Sequence, residues 1–286
     1  MVDAARMAAT SMTDIAEPRT NGQGRRAARP PSILLGALEQ QRALAELVGF
    51  GVSLPLFRLM PTGDGHPVLV LPGFMADDAS TMALRSVLRS RGYRVHRWGL
   101  GRNLGPRASV VDGLVGRFDA IHRQSGRPVS LVGWSLGGIY ARALARSRPR
   151  AVRRVITLGS PFRMRRGDRS NASRLFDRLN PGPGLRDPLA LEEPPLPVPS
   201  TAIYTRTDGV ARWHLCIEAE RPLAENIEVR GSHCGLGHNP AVILAIADRL
   251  AQPEGTFRRF RPPRAAAALY PRPTWWRDVT DGAGAA

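Results

Sequence analysis

VSLVGWSLGGIY, residues 129–140, decides the reading of this chain. A β-branched and leucine-rich run, Val129 to Trp134, passes without a linker into a helix-forming run, and the junction spells Gly133-Trp134-Ser135-Leu136-Gly137. A G-x-S-x-G pentapeptide between strand and helix holds its serine on a sharp turn with the hydroxyl exposed, so Ser135 is the candidate nucleophile. The demand is steric: strand and helix approach closely only where the residues two before and two after the serine are small. Gly133 and Gly137 meet it, and Gly138 relaxes the turn further. The helix N-terminus behind Ser135 also favours negative charge developing at a reaction centre.

Outward from this junction, strand and helix patterns alternate. HPVLVLPG at 66–73 predicts a buried strand ending in a turn, and Asp78 or Ser80 is expected to cap a helix running to about Arg91. Further strands are expected at 93–99, 153–158, 201–205 and 226–229, and helices at 107–124, 135–146 and 240–250. Parallel strands need crossover helices, so this rhythm predicts an α/β fold: a mostly parallel sheet with helices on both faces.

A chain of 286 residues can bury one substantial core. Residues 1–32 lack apolar periodicity and read as a disordered leader. Residues 33–62 read as an amphipathic helix packed on the core, with Leu34, Leu35, Leu38, Leu44, Leu47 and Val48 at near-helical spacing and Glu39, Gln40, Gln41, Arg42 and Glu46 between them. A membrane-surface helix is the rival reading, although the polar face is not especially basic. The main domain spans 63–252. Within it, residues 161–199, rich in proline and arginine, interrupt the rhythm as a lid-like insertion. Residues 253–286, with Trp275 and Trp276, read as a strap or tail.

The net charge is +17, and all 41 basic positions are arginine. These arginines are dispersed and accompany no recognition module, so a nucleic-acid partner is not expected. No apolar run approaches the ~20 residues of a membrane span, and charges in the first twenty residues break up a secretory signal. A cytoplasmic protein is expected, with peripheral membrane contact left open. Cys216 and Cys234 are too few for a disulfide framework or a zinc site, which leaves a single disulfide between them or two buried thiols. No metal, nucleotide or flavin signature is present, so no cofactor is expected.

Over residues 66–250 the chain resembles the α/β-hydrolase superfamily, and within it the small bacterial lipase and esterase branch. The resemblance is carried by LPGFMADDAST at 71–81, GWSLGG at 133–138, ITLGSPF at 156–162, IYTRTDG at 203–209 and GSHCGLGHNP at 231–240. It implies the α/β-hydrolase fold and a Ser-Asp-His triad, in the chain order nucleophile, acid, histidine. Asp208, beyond the strand pattern AIYTRT, would be the acid. His233, in the loop after the last strand, would be the general base, with His238 as its competitor. The oxyanion hole would be the backbone N–H groups of Leu136 and Phe74, with Met75 as alternative to Phe74, because Pro72-Gly73 stands where lipases commonly read His-Gly. Phe74, Met75, Trp134, Phe162 and Trp213 would surround the triad as an apolar acyl pocket, and each is equally explained by packing in the core or loops. The implied activity is hydrolysis of a small-molecule or lipid carboxylic ester. Acyl transfer and thioester or amide cleavage on the same triad are the alternatives, followed by a basic binding protein without catalysis.

Overall fold

The structure, a computed structural model, describes residues 27–165, 167–181 and 195–271. Most of the expected leader, the middle of the 161–199 insertion and the tail beyond Pro271 lie outside the described residues. In chain order the regular elements are α1 (Ile33–Ala37), α2 (Glu39–Ser53), β1 (Pro67–Leu71), α3 (Met82–Ser90), β2 (Arg94–His96), α4 (Ala108–Ser125), β3 (Val129–Trp134), α5 (Leu136–Ser147), β4 (Val152–Leu158), α6 (Ser173–Leu179), β5 (Ser200–Tyr204), β6 (Ala224–Glu228) and α7 (Pro240–Leu250).

The six strands form one sheet of order β2-β1-β3-β4-β5-β6, and every neighbouring pair is parallel. Such a sheet must be covered on both faces, and the strand side chains divide accordingly. Val68, Val70, Val132, Ile156 and Leu158 join one buried cluster with Leu84 and Leu88 of α3 and Val242 and Ile246 of α7. Leu69, Leu71, Leu131 and Val155 join another, with Phe118 of α4 and Tyr140 and Leu144 of α5. The strand order reverses direction between β1 and β3. In open α/β sheets ligands collect at such a switch point, beyond the carboxyl ends of the strands, where the turns after β1 and β3 lie here.

Two local expectations are corrected. The helix after β1 begins with a single 3₁₀ turn, Asp78–Thr81, and the side chain capping it is Asp77, which accepts from the Ala79 amide at 2.9 Å. Asp78 instead accepts from the amides of Trp98 (2.9 Å) and Gly99 (3.0 Å), tying the turn after β1 to the segment after β2.

The larger correction concerns the N-terminal helix. It forms, broken at Leu38, but it docks by its polar side. Glu39 and Ala43 are buried, while Leu34, Leu38, Leu44, Leu47 and Val48 are exposed. The inward stripe Glu39-Ala43-Glu46-Phe50 keeps helical spacing, with Phe50 packing on the core and Phe57 buried just beyond the helix.

The approach of α5 to the sheet leaves no room for a side chain. A Cβ on Gly137 would fall inside contact distance of the Leu71 carbonyl, and one on Gly133 would meet the backbone of Gly137 and Gly138. Because the obstruction is main chain, relief requires moving the helix. Gly137→Ala is therefore expected to cost about 3 kcal/mol, the upper end of ordinary overpacking, read as a lower urea midpoint at unchanged slope. A midpoint equal to wild type would show that α5 moves aside freely.

Candidate active site

Ser135 stands between β3 and α5 with φ 51 and ψ −119, and apart from Met75 it is the one non-glycine residue at positive φ among the described residues. Such a conformation costs on the order of 1–3 kcal/mol and persists only where the surroundings over-determine it. Here the Ser135 amide donates to the Leu158 carbonyl of β4 at 2.8 Å, and the glycines on either side leave the backbone no alternative path.

Asp208 follows β5 and is buried. Its Oδ1 accepts from the amides of Val210 (2.8 Å) and Ala211 (2.7 Å), and its Oδ2 lies 2.6 Å from Nδ1 of His233, in the loop after β6. Burial pushes the His233 imidazole down, but the Asp208 charge, the hydrogen bond to it and the Glu39 charge together outweigh burial and hold its pKa above the ordinary histidine value. Trp134, beside Ser135, donates its indole N–H to the His233 carbonyl at 3.1 Å, so strand β3 and the histidine loop are joined next to the serine. Among the described residues no hydrogen bond links Ser135 itself to the imidazole. His238 is turned elsewhere: its Nε2 is 2.8 Å from the Ala43 carbonyl of α2.

The Met75 amide donates to the Asn103 carbonyl at 2.7 Å and is occupied. Those of Phe74 and Leu136 have no acceptor among the described residues. Gly73 brings the β1 turn against the serine, since a Cβ there would lie 3.3 Å from the Ser135 Cβ. Asn103, fully buried, holds that turn with its side chain on the Pro72 carbonyl (3.0 Å) and its amide on the Ala76 carbonyl (2.8 Å).

A cavity of about 190 Å³ opens over Ser135. Of the five apolar residues expected around it only Phe74 contributes; the other walls include Leu136, Ile139, Met164, Phe176 and Val210. Phe176 of α6 meets Phe74 edge-on at 5.2 Å, so the described part of the insertion forms one side of the cavity. Phe162 instead lies under the buried Arg142 guanidinium, 3.8 Å away, and Trp213 packs on Tyr204. Met75 is exposed and Trp134 serves the histidine loop. Both cysteines are free thiols. Burial raises Cys216 well above the ordinary range, and burial with the Glu39 charge pushes Cys234 up to about 12, so both stay protonated and poor nucleophiles near neutrality.

Beyond Asn103 and the walls from the insertion, sequence reasoning missed a set of residues on the N-terminal helix. The buried Glu39 carboxylate accepts from the Gly209 amide (2.7 Å) with one oxygen and the Cys234 amide (2.8 Å) with the other, bridging the residue after Asp208 to the residue after His233. Arg42 donates to Thr207 and to the Gly231 carbonyl. Glu46 accepts from the Ser232 amide (2.7 Å) and hydroxyl (2.6 Å) and from Asn239 (2.8 Å). Glu39, Arg42 and Glu46 recur at i, i+3 and i+7, a polar stripe as regular as the apolar one, and that was the available signal.

A strained serine at the switch point, with a buried carboxylate–imidazole pair on the neighbouring loops, defines an α/β enzyme-type scaffold. The model of the Alpha/beta hydrolase family matches residues 68–284, and the chain belongs to that family. No curated protein sequence gives a significant match. A solved structure of the metagenome-derived lipolytic enzymes LipS and LipT is similar at 16% identity and TM-score 0.50, covering 67% of this chain and 95% of that one. The Paleococcus ferrophilus monoacylglycerol lipase (17% identity, TM-score 0.48, 67% and 96% covered) and Aspergillus fumigatus lipase B (18%, 0.48, 72% and 59%) are also similar. The N-terminal helix lies outside the matched family region.

Since the Glu39 charge is among the groups raising the His233 pKa, Glu39→Gln is expected to lower it, as followed by imidazole proton shifts against pH. A raised folded-state pKa contributes stability that is complete below the ordinary histidine value and fades as pH rises through the folded one. That fading should begin at the same pH but be complete at lower pH in Glu39→Gln, because the unfolded value is unchanged and only the folded one falls. An unchanged imidazole titration would rule out electrostatic contact between the helix and the histidine.

Proposed function

We propose that this protein hydrolyses carboxylic esters carrying an apolar acyl group, with Ser135 as nucleophile, His233 as general base and Asp208 as its orienting acid. The observation that carries the reading is the buried Asp208–His233 pair, 2.6 Å apart, whose loop is tied by the Trp134 indole to the strand ending at the strained Ser135, which lines an apolar cavity.

In this mechanism Ser135 Oγ attacks the ester carbonyl carbon while its proton passes to His233 Nε2. The carbonyl π pair moves onto oxygen, and the oxyanion accepts hydrogen bonds from the Phe74 and Leu136 amides; occupation of the Met75 amide favours Phe74 over its neighbour. Collapse expels the alcohol, which takes the proton from His233 and leaves Ser135 acylated. Water, deprotonated by His233, then attacks the acyl carbon and releases the acid and the free serine. Asp208 holds Nδ1–H, so the Nε2 lone pair faces the reaction, and it stabilises the imidazolium. The cavity walls, Phe176, Ile139 and Val210 among them, would receive the acyl chain.

Fluorophosphonate labelling tests the assignment. Labelling is expected to vanish in Ser135→Ala and His233→Ala, to weaken in Asp208→Asn and to persist in His238→Ala. Loss in His238→Ala with retention in His233→Ala would reverse the choice of base. With p-nitrophenyl esters, kcat/KM should rise with pH as His233 loses its proton, and this acidic limb should move to lower pH in Glu39→Gln. Preferential transfer of the acyl group to an added alcohol rather than to water would overturn hydrolysis as the activity.

A further inference from the structure

The N-terminal helix presents an unusual surface. Of sixteen large hydrophobic residues that are exposed among the described residues, ten fall between Ile33 and Leu59, with Ile33 at 87% and Leu59 at 83% exposure. The concentration follows from the docking: Glu39, Arg42 and Glu46 are committed to the loops of Asp208 and His233, which turns Leu44, Leu47, Val48 and Val52 to solvent. An apolar patch of this size on a folded surface marks an interaction site.

Its chemistry selects the partner. From Ser32 to Pro61 the exposed polar side chains are Ser32, Gln40, Gln41 and Arg58; the two carboxylates of the segment, Glu39 and Glu46, are turned inward. The face is thus apolar and free of exposed negative charge, on a chain of net charge +17. Two copies of so basic a chain repel on approach, whereas an anionic surface attracts it.

Position points the same way. Ile33, Gly36 and Gln40 border a cleft whose lining includes Ala172 and Val210, and these two residues also line the cavity over Ser135. The Ile33 end of the patch therefore adjoins the cavity. Exposed Arg165 and Arg169 stand at the cavity, the latter paired with Asp177.

We propose that residues 33–59 form a docking surface for an anionic phospholipid bilayer. The apolar face enters the boundary between headgroups and acyl chains, surrounding arginines meet the phosphates, and the cavity over Ser135 lies beside the lipid. Docking requires no catalysis; only the benefit of placing the cavity there rests on the ester-cleaving reading.

The test is flotation of the full chain with vesicles of phosphatidylcholine containing about 30% phosphatidylglycerol, beside pure phosphatidylcholine, at low and moderate salt. Wild type and Ser135→Ala are expected to bind the anionic vesicles equally, and more weakly as salt rises. The combined variant Leu44→Gln, Leu47→Gln, Val48→Gln and Val52→Gln is expected to bind at least ten-fold less while keeping its thermal midpoint and its turnover of a soluble short-chain ester. Should that variant fold poorly, Leu47→Trp gives a second reading: its added emission should shift to the blue on vesicle addition. The proposal is overturned if wild type does not float, or if the quadruple variant floats as well as wild type. It is equally overturned if the patch drives a concentration-dependent dimer, monomeric in the quadruple variant, that ignores vesicles. Flotation without ester turnover would sink the proposed activity and leave the surface standing; turnover without flotation would do the reverse.

Discussion

The main chain of α5 lies directly against the ends of β1 and β3, with no space for a side chain between them. A strand can pass into a helix at that separation only by a turn sharper than an ordinary L-residue adopts, so the residue at the corner is driven to positive φ. The strain, on the order of 1–3 kcal/mol, is a minor fraction of the 5–15 kcal/mol typical of whole domains. What it provides is placement. Ser135 is lifted clear of the sheet at the point where strand order reverses, with the first turn of α5 behind it. The turn after β1, braced by Asn103, closes the opposite side.

The same edge of the sheet carries a second constraint, the satisfaction of backbone amides. The loops after β5 and β6 turn the Gly209, Ser232 and Cys234 amides toward the outside of the domain, where each needs an acceptor. A buried unsatisfied donor costs roughly 1–3 kcal/mol. The N-terminal helix supplies two carboxylates for these donors, and charge-assisted bonds of this kind are about twice as strong as neutral ones. The polar side of the helix therefore faces inward, and its leucines and valines face outward as a consequence. One carboxylate bridging the loops of Asp208 and His233 also fixes their separation and adds its charge to the field at the imidazole.

This explains what was legible in the sequence. The strands are runs that any parallel sheet requires, the elbow is a local steric pattern, and the order of Ser135, Asp208 and His233 is visible without coordinates. The face of the N-terminal helix was not legible, because periodicity separates two faces without saying which is buried. The usual rule that the apolar face goes inward assumes an apolar partner, and here the partners are amides more than 160 residues away in sequence. Asn103 sits in an unpatterned stretch, GRNLGPR, and works through carbonyls that sequence does not mark. The cavity walls are not legible in the sequence for a related reason. Adjacency in sequence to the site does not separate lining from packing: the fold brings Phe176 and Met164 from the insertion and spends Phe162 and Trp213 on packing.

Net charge also changes meaning once the arginines have positions. Arg85, Arg142, Arg153, Arg154 and Arg249 are buried, and several act as multi-donor braces rather than as surface charge. Arg153 reaches Asp64 and the Gln252 carbonyl, Arg154 the Arg249 carbonyl, and Arg142 pairs with Glu218. Burial pulls the Arg154 pKa down, to about 10, which still leaves it charged at neutral pH. A lysine at these positions would offer one compact charge where the planar guanidinium satisfies two or three oxygens at fixed angles, so arginine here has a structural use independent of any partner. The field felt outside comes from the remaining arginines, such as Arg58, Arg165 and Arg174, which are exposed. Composition alone could not separate these two populations, and it is the exposed one that bears on what the apolar helix face can meet.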